Sequence, residues 1–476
     1  MKSACGFAVL TLSGLFFINS LGAIEIDSDQ MVTNGAPLIS SSPGSISIIP
    51  RKPATGVWLY DWTDIDGDGI PGPSAAPGLN VHSFSLKHQL DISKIGETTI
   101  RLNLAGGDFS GTSGYKAVDF YYNMGSYTYN GIANFELINA GNVDVGVLDT
   151  HGNGLQYRRS GFVKLGEPIG QGFGPVGAVR VDDISTWGTL GYNSSGHAQI
   201  YSSGDVFIQR ANDTLGTIKS GNVSGSAGDI TVLHEGAFVA GKLESITQSD
   251  YTSLGVGGNI TLNGDADGDG NLAACLIGGI DASYRGTGSN GLRGGNVSIR
   301  NYDSVNISQN IASLSASTSN IRIHYGGNVT IQDIAGDITI GGTIDVGVAR
   351  IEDTPGTVVL ESSNGNISLN TLDLARVSSI SFSTPKKAEV IDLLKNFNTY
   401  ADSGTGSMAR PYVTTQLVLR ASADTVIEYA YEENGINNYL DRKIYRLPSP
   451  DGVPGAGGLL VPAIGPKVGG TMLQVR

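Results

Sequence analysis

Cysteine is almost missing from this chain: 476 residues carry two, Cys5 and Cys275. Cys5 lies in an N-terminal segment read below as a removable signal, so the remaining chain holds Cys275 alone and closes no internal disulfide. An exported protein in that position is held by backbone pairing, packing or metal. Basic residues are also scarce, 30 Lys and Arg against 44 Asp and Glu, for a net charge of −14. That balance excludes nucleic acid as a natural partner and disfavours an anionic membrane surface. Long apolar runs are missing with one exception. Phe7–Leu21 is about 15 residues long, is interrupted by Thr11, Ser13 and Asn19, and falls short of the ~20 residues of a spanning helix. It follows Lys2 and precedes Gly22 and Ala23, the layout of a secretory signal peptide over residues 1–23. Removing it takes away the charge of Lys2 and leaves −15. No second such run exists, so the mature chain is expected to have no transmembrane helix and to be secreted or displayed at the cell surface. Catalytic motifs are missing too. The six histidines have no metal-ligand spacing, and there is no Gly-x-Ser-x-Gly elbow or Walker loop.

Glycine is what the chain has in excess, 68 residues, while charged residues make up only 16%. That combination favours tight turns between short strands over helices. The glycines open a recurring phrase of alternating apolar and polar residues: GNVDV (141–145), GDVFI (204–208), GDITV (228–232), GGNITL (257–262), GGNVSI (294–299) and GGNVTI (326–331), then GNISL (365–369). Alternation bounded by Gly is a strand signature, and its recurrence predicts stacked copies of one unit. From Gly204 to Gly327 the copies are 24 to 37 residues apart, enough for one full coil with loops of varying length.

The organisation expected from this rhythm has five parts. After the signal comes a β-rich N-terminal region, 24–131, and then a parallel β-helix, 132–382. A small α+β cap, 383–447, follows, with an amphipathic helix read from KKAEVIDLLKNF (386–397) and a hairpin read at Asn434–Gly435. The last part is a Pro/Gly-rich tail, 448–476. Asn142, Asn222, Asn259, Asn296, Asn328 and Asn366 each precede an alternating run. Five of them also fit Asn-x-Ser/Thr, but strand alternation generates that tripeptide unaided. Two structural roles are open to them, an amide ladder along the stack or left-handed turn geometry.

The GGNVTI, GDITI and GNISL phrasing resembles the coils of right-handed parallel β-helices, in particular filamentous-haemagglutinin-type bacterial adhesins. The resemblance covers about half of the chain and implies an all-β solenoid with a structural or adhesive role toward a glycan or other cell-surface ligand. Many β-helix proteins are instead polysaccharide lyases or hydrolases. Asp182–Asp183 and Arg158–Arg159 are the charged pairs that could meet in a groove of that kind.

The sharpest local signal is Asp64-x-Asp66-x-Asp68-Gly69-Ile70, repeated as Asp265-x-Asp267-x-Asp269-Gly270-Asn271. Carboxylates at positions 1, 3 and 5, Gly at 6 and a carbonyl at 7 direct oxygens toward one hard cation. The two segments resemble the calcium loops of EF-hand, dockerin and thrombospondin type 3 repeats, which implies structural calcium. Position 12 holds Ala75 and Leu276, not an acid, and Asp281 is a candidate to complete the coordination of the second loop. The tyrosines of DFYYNMGSYTY (Tyr121, Tyr122, Tyr127 and Tyr129) read either as a half-buried sheet face or as a platform for stacking sugar rings. Cys275, within LAACLIGG, reads as core.

Overall fold

The computed structural model describes residues 97–384 apart from 105, 112, 115, 120–121, 124–131, 154–159, 189–195, 224, 249–254, 287–292, 317–322, 350–352 and 374–378. It also describes the backbone of strands Ile24–Asp27, Gly44–Ile49, Gly56–Asp61, Gly78–Leu86, Ala388–Leu394, Gln416–Arg420, Val426–Tyr429 and Lys443–Arg446. The Asp64–Ile70 loop and the tail from 448 lie outside these residues, as do segment 1–23 and Asn434–Gly435.

The chain is a parallel β-solenoid. One sheet has 12 strands and the other 18, and successive coils add one strand to the smaller sheet and one or two to the larger. In the smaller sheet Val163, Ala198, Ile230, Ile260, Val297, Val329 and Val358 sit one above the next. Two residues on, Leu165, Ile200, Val232, Leu262, Ile299, Ile331 and Leu360 form a second inward column, and both columns are fully buried. Each Val, Leu or Ile among them contributes about 1.5–3 kcal/mol of burial, and the residues between them point outward. Alternation therefore does what the sequence rhythm promised: one face of each strand fills the core and the other meets solvent.

Glycine is required at the corner that precedes each strand of the smaller sheet. A Cβ on Gly196, Gly228, Gly258, Gly295, Gly327 or Gly356 would collide with the backbone of the equivalent corner one coil earlier. Just past this corner the asparagines form the ladder. Asn259 N donates to Asp229 Oδ1 (2.7 Å), Asn296 N to Asn259 Oδ1 (3.0 Å), Asn328 N to Asn296 Oδ1 (3.0 Å) and Thr357 N to Asn328 Oδ1 (2.9 Å). A separate pair of steps runs from Asp108 Oδ1 to Asn142 N and from Asn142 Oδ1 to Ala178 N. Left-handed backbone is taken elsewhere, at Asn139, Asp213, Asn301 and Asp333 among the described non-glycine residues. Asn259, Asn296 and Asn328, three of the five sequon-like asparagines, are thus parts of the stack.

One expectation is corrected. The segment read as a helix at 386–397 contributes strand Ala388–Leu394, which pairs in parallel with Ile367–Asp373. Its apolar residues recur at intervals of three because the larger sheet bends in mid-strand. Val390 lies over Leu369 and Leu393 over Leu372, the same spacing one coil earlier. A helical period and a bent strand leave the same trace here. Further on, Val426–Tyr429 pairs antiparallel with Lys443–Arg446. Among the described residues no helix is long and apolar enough to cross a membrane.

Candidate metal centre

The second Asp loop lies on the edge where each coil passes from the smaller sheet to the larger. Strand Ile230–His234 makes this passage in a short turn through Glu235 and Gly236. One coil later Ile260–Asn263 enters a longer excursion, 264–273, before strand Ala274–Asp281. The excursion folds back on its own side chains. Asp269 N donates to Asp267 Oδ1 (2.9 Å), Asn271 N to Asp269 Oδ1 (2.8 Å) and Gly270 N to Asp265 Oδ2 (3.3 Å). Gly268 and Gly270, at φ of 77° and 82°, supply left-handed conformations that the tight reversal needs.

Two contacts tie this loop to the coil before it. Glu235 bridges Asp265 through the backbone, and Asp267 N donates to Glu235 Oε1 (2.7 Å). The result is a group of four carboxylates, Glu235, Asp265, Asp267 and Asp269, each with an oxygen within 4.8 Å of one on the others. Burial pushes the Glu235 carboxyl above its ordinary range, and the Asp267 charge raises it further against the opposing effect of the Asp267 N–H. Asp265 Oδ1 is sealed from solvent and has no hydrogen-bond partner within the protein. A buried anionic oxygen with no donor is costly, and a hard cation held by oxygen ligands is the simplest group that would satisfy it.

The predicted ligands are therefore brought together in part. Asp265, Asp267 and Asp269 converge. Asn271, expected to offer its main-chain carbonyl, donates its side-chain amide to Asp269 Oδ2 (2.6 Å). Asp281 does not complete the shell: it is buried at the far end of its strand, where it pairs with Arg285 and accepts from Ser283 N. The residue that joins instead, Glu235, had a signal in the sequence. Aligning GDITV with GNITL sets Ile230 against Ile260, which puts Glu235 opposite Asp265. Asp64, Asp66, Asp68 and Ile70 lie outside the described residues, as do Tyr121, Tyr127 and Tyr129. The backbone of Tyr122 pairs with Gly152.

Comparison of the chain with protein-family models, curated proteins and solved structures gives no match.

Of the charged pairs singled out for catalysis, Asp182–Asp183 is structural. Asp182 is buried and accepts from Ser113 Oγ (2.7 Å) and Gly114 N; Asp183 accepts from Thr217 N (2.7 Å) and pairs with Arg210 (3.1 Å). Arg158–Arg159 lies outside the described residues. A second charged group was not anticipated. Asp149, buried, is hydrogen-bonded by His151 Nδ1 and lies 2.7 Å from Lys116 Nζ one coil earlier. Burial alone would raise the Asp149 carboxyl, but these two partners outweigh it and hold it below its ordinary range.

Cys275 is fully buried, and desolvation raises its thiol well above the usual value. It has the reactivity of a core residue. A chain beginning at residue 24 is expected to give no reaction with a thiol-specific chromogen while folded and one thiol per chain in denaturant. Rapid labelling of the native protein would contradict the packing described.

Proposed function

We propose that this chain is an exported bacterial protein, secreted or held at the cell surface, with a structural or adhesive role. Its coil is read as right-handed, after the filamentous-haemagglutinin-type adhesins that its repeat resembles. The observation that carries the reading is the regularity of the outward face. Thr231, Thr261, Ser298 and Thr330 stand at successive rungs of the smaller sheet, about 4.8 Å apart, a spacing that stacked strands impose. Such a face repeats one set of polar contacts along its length. It suits a partner that is itself repetitive, such as a polysaccharide or a cell-surface glycan.

One observation favours a second reading, a polysaccharide lyase or hydrolase. A buried carboxylate holding a histidine ring beside a lysine, as in Asp149, His151 and Lys116, is an arrangement that general acid–base chemistry can use. The test is a glycan array run with calcium, together with a reducing-end release assay on acidic polysaccharides. The adhesive reading expects saturable binding to a subset of glycans and no release. Release of reducing ends that is lost in His151→Asn would replace it with the enzymatic one.

A further inference from the structure

We infer that Phe173 and the loop that carries it form a stacking subsite for one pyranose ring of a neutral polysaccharide lying along the outward column of the smaller sheet. This rests on the adhesive reading and deepens it, because it names the class of glycan and the side chain that grips it.

The loop is an insertion. Residues 166–178 join strand Val163–Leu165 to Val179–Val181, a passage that the next coil makes in residues 203–205. Its own hydrogen bonds fix its shape. Glu167 N donates to Gly174 O (2.9 Å), Gln171 N to Pro168 O (3.0 Å) and Gly174 N to Gln171 O (2.9 Å). The Glu167 carboxylate accepts from Phe173 N (2.8 Å) and fills the space that a Cβ on Gly172 would need. The far end is tied to the next coil, where Val176 N donates to Tyr201 O (3.0 Å).

A connection of this kind needs no large apolar side chain at its tip. It nevertheless holds Phe173 out at 58% exposure, the most exposed large apolar residue among those described, and Ile169 at 45%. Single exposed apolar residues are ordinary on protein surfaces. What distinguishes Phe173 is that the loop around it is ordered before anything binds, so stacking a ligand on the ring forfeits little conformational entropy.

The surroundings decide the class of ligand. Lys164 and Gln199 stand at successive rungs of the outward column that continues through Thr231, Thr261, Ser298 and Thr330. Lys164 Nζ lies 3.7 Å from Glu167 Oε1, so the loop and the column meet at this rung. A pyranose with equatorial substituents has C–H bonds on its faces and hydroxyls around its rim. An aromatic ring suits the faces, while an ammonium, a carboxylate and an amide suit the rim. Charge then excludes acidic glycans, because a chain at −14 overall repels a polyanion. A lipid surface is disfavoured as well, since seating the loop in it would desolvate the Lys164–Glu167 pair at the loop's base.

The experiment titrates the chain from residue 24 with cellohexaose, with N-acetylchitohexaose and, as the acidic comparison, with hexagalacturonate, followed by calorimetry. At least one neutral hexasaccharide is expected to bind, and hexagalacturonate is not. Phe173→Ala is expected to weaken that binding by about tenfold or more with Tm unchanged, since the side chain it removes is exposed. Phe173→Trp keeps an aromatic face and should keep the affinity. Undiminished binding in Phe173→Ala would overturn the subsite and leave the adhesive reading standing. Failure of both neutral hexasaccharides to bind the parent chain, or tighter binding of hexagalacturonate, would overturn the proposed glycan class, and the glycan array then judges the adhesive reading by itself. Adsorption to phosphatidylcholine vesicles, or self-association, that Phe173→Ala abolishes while glycan binding persists would assign the loop tip to that partner and overturn the subsite.

Discussion

Gly295→Ala is expected to cost at least ~3 kcal/mol of stability, enough to lower the yield of folded chain sharply. The new Cβ would lie 2.5 Å from the carbonyl carbon of Gly258 and 2.8 Å from Gly257 O, and closer still to Gly258 O. None of these atoms can give way cheaply, because each is main chain inside a rung. Moving the Gly258 corner would press on Gly228 beneath it, since the same crowding recurs down the column. Backbone conformation argues the other way. Gly295 is not among the positive-φ glycines, so alanine at a compatible position would ordinarily add about 0.4–1 kcal/mol by restricting the unfolded chain. The two effects have opposite signs and the steric one is several times larger. Gly268→Ala is the matched control. Its Cβ meets nothing within 4 Å, but its φ is 77°, so it should cost only about 1–2 kcal/mol. Urea unfolding followed by circular dichroism ranks the pair. A Gly295→Ala chain as stable as the parent would mean that the corners are not stacked as described.

That control shows why much of the fold was legible in the sequence. The phrase GGNVSI encodes three separate needs at three adjacent positions. Gly295 fits where no Cβ can, Asn296 donates its N–H to the rung beneath and accepts the main-chain N–H of the rung above, and Val297 begins the inward column. Each need is local to one coil and repeats, so the sequence carries it many times over. Features that depend on how one coil meets the next were harder to read. Val390 and Leu393 look helical unless the bend of the larger sheet is already known. Glu235 looks like an isolated surface acid until its coil is set beneath Asp265. Asp182 and Asp183 read as a free acidic pair, yet their partners, Ser113 and Gly114 on one side and Arg210 and Thr217 on the other, lie tens of residues away. Sequence periodicity reports what each coil needs from itself. It says far less about which coils have exchanged side chains.

The interior holds one group through which acid should act, and the expected effect is large. His234 is fully buried between Phe238 and Tyr302, with Nε2 2.8 Å from the Tyr302 hydroxyl, which also hydrogen-bonds Cys275. The three residues come from three successive coils and form a small polar cluster inside an apolar column. Desolvation lowers the His234 imidazole to about 4, despite the Glu235 carbonyl and the Asp205 charge, which both favour protonation. An unfolded histidine titrates near 6.5, so below that value the unfolded chain takes up a proton that the folded chain refuses. Stability is therefore complete above about pH 6.5, falls as the pH drops, and levels off near pH 4, with about 3 kcal/mol lost across the window. Other groups titrate nearby. Asp149 loses its contribution only at lower pH, because its folded value is depressed below that of an unfolded carboxylate, and Glu235, whose value is raised, works in the opposite direction. Comparison with His234→Gln isolates the histidine, since glutamine can still meet the Tyr302 hydroxyl but does not titrate here. Denaturation midpoints measured from pH 7 to pH 4 should converge for the two chains as the pH falls, the parent losing more. Parallel curves would show that His234 takes up its proton at the same pH in the folded as in the unfolded chain, and so is not desolvated as described.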